Sequence, residues 1–322
     1  MEGAEILSNR LELISTALEK ELPKGSGPKE LYDAAEHLIR AGGKKYRPAM
    51  TLLACESVGG NANDAVPTAI AIELLHTASL IHDDIVDGDS LRRGVRTVHS
   101  IWGKDIATVA GDLLIGKAVE VMASGTPPKV IAMIAQASAE MCEGETLDIK
   151  YHGNLETVTE EQYLEMVRKK SASLVKVAVE AGAVIGGGLK EAVSALSRYG
   201  EMIGIAFQLR DDILNLTSTK KKLGKPVKTD ILTRRPNLVL IRALHTPATN
   251  EMTHKFIRSE GVGYDLGQFV MKLDELDVVE YVQEMSENFS KEAELALRKV
   301  TLKGDMKKAL MSAADFASKR IY

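Results

Sequence analysis

The sequence predicts an all-α protein. Helical periodicity dominates its 322 residues, and no run alternates convincingly at period two. Apolar segments of helix length are divided by glycine and proline. With 45% hydrophobic and 27% charged residues, the composition is that of a packed globular chain rather than a disordered one.

The elements follow in order. Ile6, Leu7, Leu11, Ile14 and Leu18 form one apolar stripe, which ends at Pro23 and the Gly25–Pro28 turn. A second helix runs from about Lys29 to Ala41 and stops at Gly42-Gly43. A third starts near Pro48 and ends at Gly59-Gly60-Asn61. Asn63 or Asp64 is the expected cap of a long helix reaching Asp87, with Pro67 in its first turn. Further helices are expected at about 105–123, 129–151, 160–187 and 190–216, with breaks at Gly125–Pro128 and Gly186–Gly188. Thr217–Pro236 reads as a basic loop, and Asn237–Tyr322 as helical again, with weaker breaks around Gly261–Gly267 and Gly304. Length alone suggests two domains. The basic loop is the one candidate boundary and suits a lid as well as a linker, so the expectation is a single domain spanning 1–322.

Several function classes lose support. The 41 basic and 45 acidic side chains give a formal net charge of −4, and aromatics are only 4%, which disfavours nucleic-acid binding. Cys55 and Cys142 cannot build a disulfide framework or a zinc ribbon. The acidic start is unlike a signal peptide. The most apolar stretch, Ala65 to Ile81, carries Glu73 and His76, so no uninterrupted run reaches the ~18 residues of a membrane span. A soluble cytoplasmic protein is expected.

Two acidic motifs carry the chemistry. In Asp83-Asp84-Ile85-Val86-Asp87, residues 83 and 87 share a helix face one turn apart. Acids at a helix C-terminus oppose the helix dipole, and a bound divalent cation would offset that. The second motif is Asp211-Asp212-Ile213-Leu214-Asn215. Carboxylate oxygens suit Mg²⁺, whose shell is usually completed by water and substrate phosphate. Either motif alone reads equally well as a solvated acidic face; two copies within apolar helical sequence argue against that. Cations accompany them: Arg92-Arg93, the segment Gly42-Gly43-Lys44-Lys45-Tyr46-Arg47-Pro48, Lys169-Lys170 beside Ser171, and Lys225 and Arg235 at the basic loop. Guanidinium and ammonium groups bind phosphate, so acids and bases together fit a diphosphate–Mg²⁺ cage. There is no P-loop match.

At this point the chain resembles a known family, the trans-isoprenyl diphosphate synthases. GGKKYRP resembles the family's GGKxxRP, LLHTASLIHDDIVDGDSLRRG its first aspartate-rich region, and FQLRDDILN its FQxxDDxxD. The resemblance implies a bundle of long antiparallel helices around a central cavity, with a dry aliphatic tunnel for the growing chain. It implies that Asp83 and Asp87, with Asp84 beside them, hold Mg²⁺ on an allylic diphosphate, and that Asp211, supported by Asp212, holds it from the second motif; three ions are expected with bound substrate. By the same resemblance Arg92 contacts the allylic diphosphate. Lys44, Arg47, His76 and Arg93 form the isopentenyl diphosphate pocket, and Lys170, Ser171, Gln208, Lys225 and Arg235 face the allylic substrate. A homodimer is implied too. The sequence departs from the pattern in places: Asn215 replaces the second motif's last aspartate, Ser171 a common threonine, Glu145 a usual glutamine, and Thr233–Asn237 the EGKxT segment, so that Arg235 stands in for lysine.

The implied reaction ionises an allylic diphosphate; isopentenyl diphosphate attacks through its double bond, and a proton is lost. Ala78 and Ser79, five and four residues before Asp83, are small where short-product members often carry an aromatic. The expected product is therefore a polyprenyl diphosphate longer than twenty carbons, with geranylgeranyl diphosphate as the alternative. A terpene cyclase would not need GGKKYRP or Arg93, and a non-catalytic subunit of a heteromeric synthase should have lost acidic motifs that this chain keeps.

Overall fold

The computed structural model describes residues 2–22, 25, 27–217, 235–258 and 265–319. Its elements are α1 (Glu2–Glu21), α2 (Lys29–Arg40), α3 (Tyr46–Ser57), α4 (Ala62–Asp87), β1 (Leu91–Arg92), β2 (Val95–Arg96), α5 (Val98–Gly125) and α6 (Pro128–Tyr151). After a 3₁₀ turn at Leu155–Thr157 come α7 (Glu160–Val167), a π-helical segment at Arg168–Ala172, α8 (Ser173–Ile185) and α9 (Lys190–Thr217). The rest is α10 (Leu238–His245), α11 (Asn250–Arg258), α12 (Leu266–Glu275), α13 (Val278–Arg298) and α14 (Gly304–Lys319). The protein is all-α; β1 and β2 form a two-residue antiparallel hairpin. Most of the basic loop, residues 218–234, lies outside the described residues, as does 259–264 in the expected break around Gly261–Gly267.

The helices fall into two compact units. One comprises Met1–Ser138, Leu174–Arg198 and Ala296–Ser312; the other comprises Ala139–Ser173, Tyr199–Leu295 and Ala313–Tyr322. Neither is one continuous stretch of chain, which is why no linker marks them in the sequence.

The first unit is organised by α4, which packs along α5 and against α3. Ile70, Ala71, Ile72, Leu74, Leu75, Ala78 and Ile81 are all buried, so α4 is apolar around much of its circumference, as a core helix should be. Among the described residues it is the one helix long and apolar enough to cross a membrane, and 67% of its most apolar window is buried inside the protein. Its cap is Asn61, whose side chain accepts from the Asn63 N–H at 3.0 Å. That is two residues earlier than Asn63, so Pro67 lies inside the helix rather than in its first turn. Gly88, in the left-handed region at φ 68°, ends α4 by donating to the Asp84 carbonyl. The next helix starts at Val98, earlier than the expected 105, because Gly103 (φ 83°) kinks it and hides its first turn from the periodicity. Cys55 is buried, and burial pushes its thiol pKa up to about 11, which leaves it unreactive.

The second unit is built on α7 and its partners. Thr159 and Gln162 form a capping box that starts α7 at Glu160, where the sequence places a helix start. Glu160 then receives Arg242 of α10 at 3.1 Å and the Tyr281 hydroxyl of α13 at 2.8 Å. Phe256 and Phe269 stack at 4.1 Å between centroids. Breaks at Thr246–Thr249 and Leu276–Asp277 divide the C-terminal region further than glycine and proline suggest; Asp277 carries φ 59° without being glycine.

Candidate active site

The last turn of α4 and the hairpin after it make an acid–cation cluster in the first unit. Arg93 (φ 52°) and Gly94 (φ 78°) form the hairpin turn with positive φ at both central positions, the geometry of a type I′ turn. The hairpin thereby presents Arg92 from β1 and Arg93 from the turn. Arg92 lies against α4: its Nε donates to Asp84 Oδ1 at 2.7 Å, and its guanidinium reaches Asp89 at 3.3 Å. Asp84 is only 1% exposed, and its Oδ2 is buried with no hydrogen-bond partner among the described residues. Burial raises the Asp84 pKa, against the pull of Arg92. Asp83 and Asp87 are partly exposed, so of the three acids it is Asp84 that points inward.

A second cluster of cations surrounds His76. Arg47 Nη1 stands 3.1 Å from His76 Nε2. Arginine can only donate, so Nε2 accepts and the ring proton sits on Nδ1. Burial, then the charges of Arg47, Arg93 and Arg92, hold the His76 pKa well below its ordinary value. Arg93 donates from Nη1 to the Leu38 carbonyl at 2.7 Å and lies 3.6 Å from Glu73. Lys44 is exposed beside this group, while Lys45 takes the left-handed N-cap position of α3 (φ 45°) and donates to Ser15 at 2.9 Å. Thus the structure brings Arg47, His76 and Arg93 together. Glu73 joins them unforeseen, although a lone acid in an apolar run was its visible signal.

His76 makes stability depend on pH. Below its ordinary pKa of 6.5 the unfolded chain binds a proton that the native ring refuses, so stability falls as pH drops through that range. Glu73 and Asp84 are shifted upward and act in the opposite sense, but both remain in a His76→Gln variant. The expected result is a flatter fall in thermal midpoint between pH 7 and pH 5 for His76→Gln than for the parent. Parallel curves would show that His76 is not held neutral.

In the second unit the residues around Asp211 and Asp212 are tied to the π-helical segment. Asp211 is half-buried near the end of α9. Asp212, 2% exposed, is enclosed: Tyr163 donates to Oδ2 at 2.5 Å, the Leu238 N–H donates to Oδ2 at 2.9 Å, and Gln208 donates to Oδ1 at 3.2 Å. It therefore anchors the start of α10 onto α9. Ser171 donates to Gln208 Oε1 at 2.9 Å, which links the π segment to the same carboxylate. Lys170 pairs with Glu145 at 2.6 Å and with Asp148. The π segment fits because α6 approaches it closely: a Cβ on Gly144 would lie 2.2 Å from the Lys170 backbone nitrogen. Such insertions commonly occur where a side chain is re-aimed for function. Asn215 is buried at 3% exposure. Arg235 is half-buried where the described chain resumes, and Lys225 lies outside the described residues.

Among the described residues no three His, Cys, Asp or Glu side chains close into a metal cage. The donors are all oxygen, and the buried Asp84 Oδ2 lacks a partner among the described residues. This set fits a hard divalent cation that keeps water and shares substrate phosphate, rather than one enclosed by protein alone.

Comparison with known proteins shows what the chain as a whole is similar to. The model of the family described as polyprenyl synthetase matches residues 28–264. A short chain isoprenyl diphosphate synthase of Methanothermobacter thermautotrophicus is 38% identical, over 99% of both chains. The geranylgeranyl pyrophosphate synthetase of Pyrococcus horikoshii superposes with a TM-score of 0.88 at 37% identity, over 99% of this chain and 98% of that one. A polyprenyl synthase of Caulobacter crescentus, crystallised with calcium and isoprenyl diphosphate, superposes with a TM-score of 0.91 at 31% identity, over 100% and 98%.

Proposed function

The chain belongs to the polyprenyl synthetase family, and from that premise we propose that it condenses isopentenyl diphosphate with an allylic diphosphate, head to tail, to make a polyprenyl diphosphate. The observation that carries this reading is the grouping of Arg47, His76 and Arg93 beside the acid-bearing end of α4. Cations for one diphosphate thereby stand next to carboxylates suited to a metal-bound one. In the reaction the C–O bond of the allylic diphosphate breaks, and the diphosphate leaves with the electron pair. The double bond of isopentenyl diphosphate then forms the new C–C bond, and a proton is lost.

Arg47 and Arg93 would hold the diphosphate of isopentenyl diphosphate through charge-assisted hydrogen bonds, with exposed Lys44 at the entrance and neutral His76 fixing the Arg47 guanidinium. Lys170, Ser171, Gln208, Lys225 and Arg235 are assigned to the allylic side, as is Arg92. Asp83 and Asp87, with Asp84 behind them, are the proposed metal ligands of the first motif, and Asp211, with Asp212 behind it, is that of the second. Mg²⁺ is the proposed ion, three per bound substrate pair, and it would neutralise charge developing on the departing diphosphate. The family match runs through both compact units, which supports reading 1–322 as one functional domain. A homodimer is proposed because α5 carries Ile101, Val109, Ile115 and Val119 at 39–54% exposure. Incubation with labelled isopentenyl diphosphate, an allylic primer and Mg²⁺ tests the activity. Unchanged label after dephosphorylation and chromatography would refute it.

The proposed product is longer than twenty carbons. Ala78 is small and 1% exposed on α4, and the next candidate floor, Leu75, stands three residues earlier, about 4.5 Å along the axis. The second reading, geranylgeranyl diphosphate, is favoured by the name of the Pyrococcus relative. Ala78→Phe is expected to shorten the main product with modest loss of turnover. If Ala78 is instead plain helix packing, the ring should cost about 1–3 kcal/mol of stability. An unchanged product length from a folded variant would show that Ala78 does not line the path of the growing chain.

A further inference from the structure

Glu73 is a charged group that the reaction as described leaves unused. It sits near the middle of α4 and is 3% exposed, in an apolar stretch where an isolated carboxylate would be costly. Burial raises its pKa, and Arg93, Arg47 and Lys45, in that order, pull it back toward the charged form. Three constraints meet on its partner. The Arg93 backbone is held in the left-handed region at φ 52° by the hairpin turn. Its Nη1 donates to the Leu38 carbonyl at 2.7 Å, and Nη2 faces Glu73 Oε1 at 3.6 Å. The turn after α2 leaves no slack: a Cβ on Gly43 would lie 2.9 Å from Arg93 Cζ. Leu38 and Gly43 fix where the guanidinium lies, and Glu73 supplies the only negative charge paired with it among the described ion pairs.

We propose that Glu73 is a positioning residue: its buried carboxylate orients the Arg93 guanidinium to receive the diphosphate of isopentenyl diphosphate, and offsets the repulsion between Arg93 and Arg47 when that diphosphate is absent. The proposal rests on the assignment of Arg93 to that substrate. At 3.6 Å the pair is an ion pair rather than a tight hydrogen bond, so the guanidinium keeps donors to offer a phosphate.

Steady-state kinetics of Glu73→Gln, Arg93→Ala and the double variant test it, with folding followed by circular dichroism. Glu73→Gln should raise KM for isopentenyl diphosphate about tenfold, the scale of one charge-assisted contact. Its kcat and its KM for the allylic primer should stay within about twofold of the parent. Added to Arg93→Ala, it should raise that KM little further, because the group that it orients is gone. A full independent rise in the double variant would overturn the proposal, as would an unchanged KM in Glu73→Gln while Arg93→Ala raises it. No rise in Arg93→Ala itself would overturn both the proposal and the pocket assignment beneath it. Where the glutamine variant fails to fold, Glu73→Asp retains the charge and withdraws it by one methylene. It should give a smaller rise in the same KM and the same lack of additivity, and full additivity there would equally refute the idea.

Discussion

Replacing Asp83 by alanine should lower turnover by more than about a hundredfold, the scale of one strong electrostatic contact in a transition state, and leave the fold intact. Asp83 lies in the last turn of α4, where the partial negative charge of the helix end disfavours a carboxylate. Asp87 stands one turn further on the same face, and like charges at that spacing cost a few tenths of a kcal/mol more, on the order of 0.2–0.5. Unlike Asp84, Asp83 is not enclosed in the core. Its removal therefore leaves no buried cavity, and Arg92, which Asp83 also helps to hold, keeps its ion pairs with Asp84 and Asp89. Asp83 adds to the field that holds Arg92, and the larger role proposed for it is a cation that it shares with substrate. Activity at saturating Mg²⁺, read beside circular dichroism of the same variant, decides the matter: near-parental turnover would remove Asp83 from the metal site.

The sequence and the structure part company where local pattern gives way to tertiary contact. Helix existence is legible because a 3.6-residue apolar period and glycine or proline stops are local. The all-α class, α2, α4 and the break at Gly125–Pro128 follow directly. The β1–β2 hairpin is too short for a period to show, and it depends on a non-glycine residue, Arg93, accepting positive φ. The π segment is likewise invisible, since its extra residue is fixed by the close approach of Gly144 from α6. At the candidate site, the acids and cations announce themselves by type and spacing. Their division of labour does not. Neighbouring aspartates in a helix point about 100° apart, and which one turns inward depends on partners distant in sequence. Tyr163 and the Leu238 N–H enclose Asp212, and Arg92 enclosed with Asp84 is the corresponding case in the first motif.

Arg92→Ala should accordingly be felt first in stability and only then in substrate binding. The resemblance alone suggests a clean loss of affinity for the allylic primer. In the structure, however, Arg92 is the cation paired with a carboxylate that is 1% exposed. Burial already raises the Asp84 pKa with the arginine in place. Removing one partner of a buried ion pair costs about 3–5 kcal/mol, because the remaining charge is uncompensated. Protonating Asp84 relieves that cost in the variant. Its deficit in denaturation midpoint relative to the parent should therefore be larger at pH 8 than at pH 5. Pairing the change with Asp84→Asn removes the orphaned charge and should recover much of the stability. The primer KM attributable to Arg92 itself is then read by comparing the Arg92→Ala, Asp84→Asn protein with Asp84→Asn alone. A single Arg92→Ala variant within about 1 kcal/mol of the parent, well below the range for a broken buried pair, would mean that Asp84 does not depend on this arginine, and the primer KM of the single variant would then report on substrate directly.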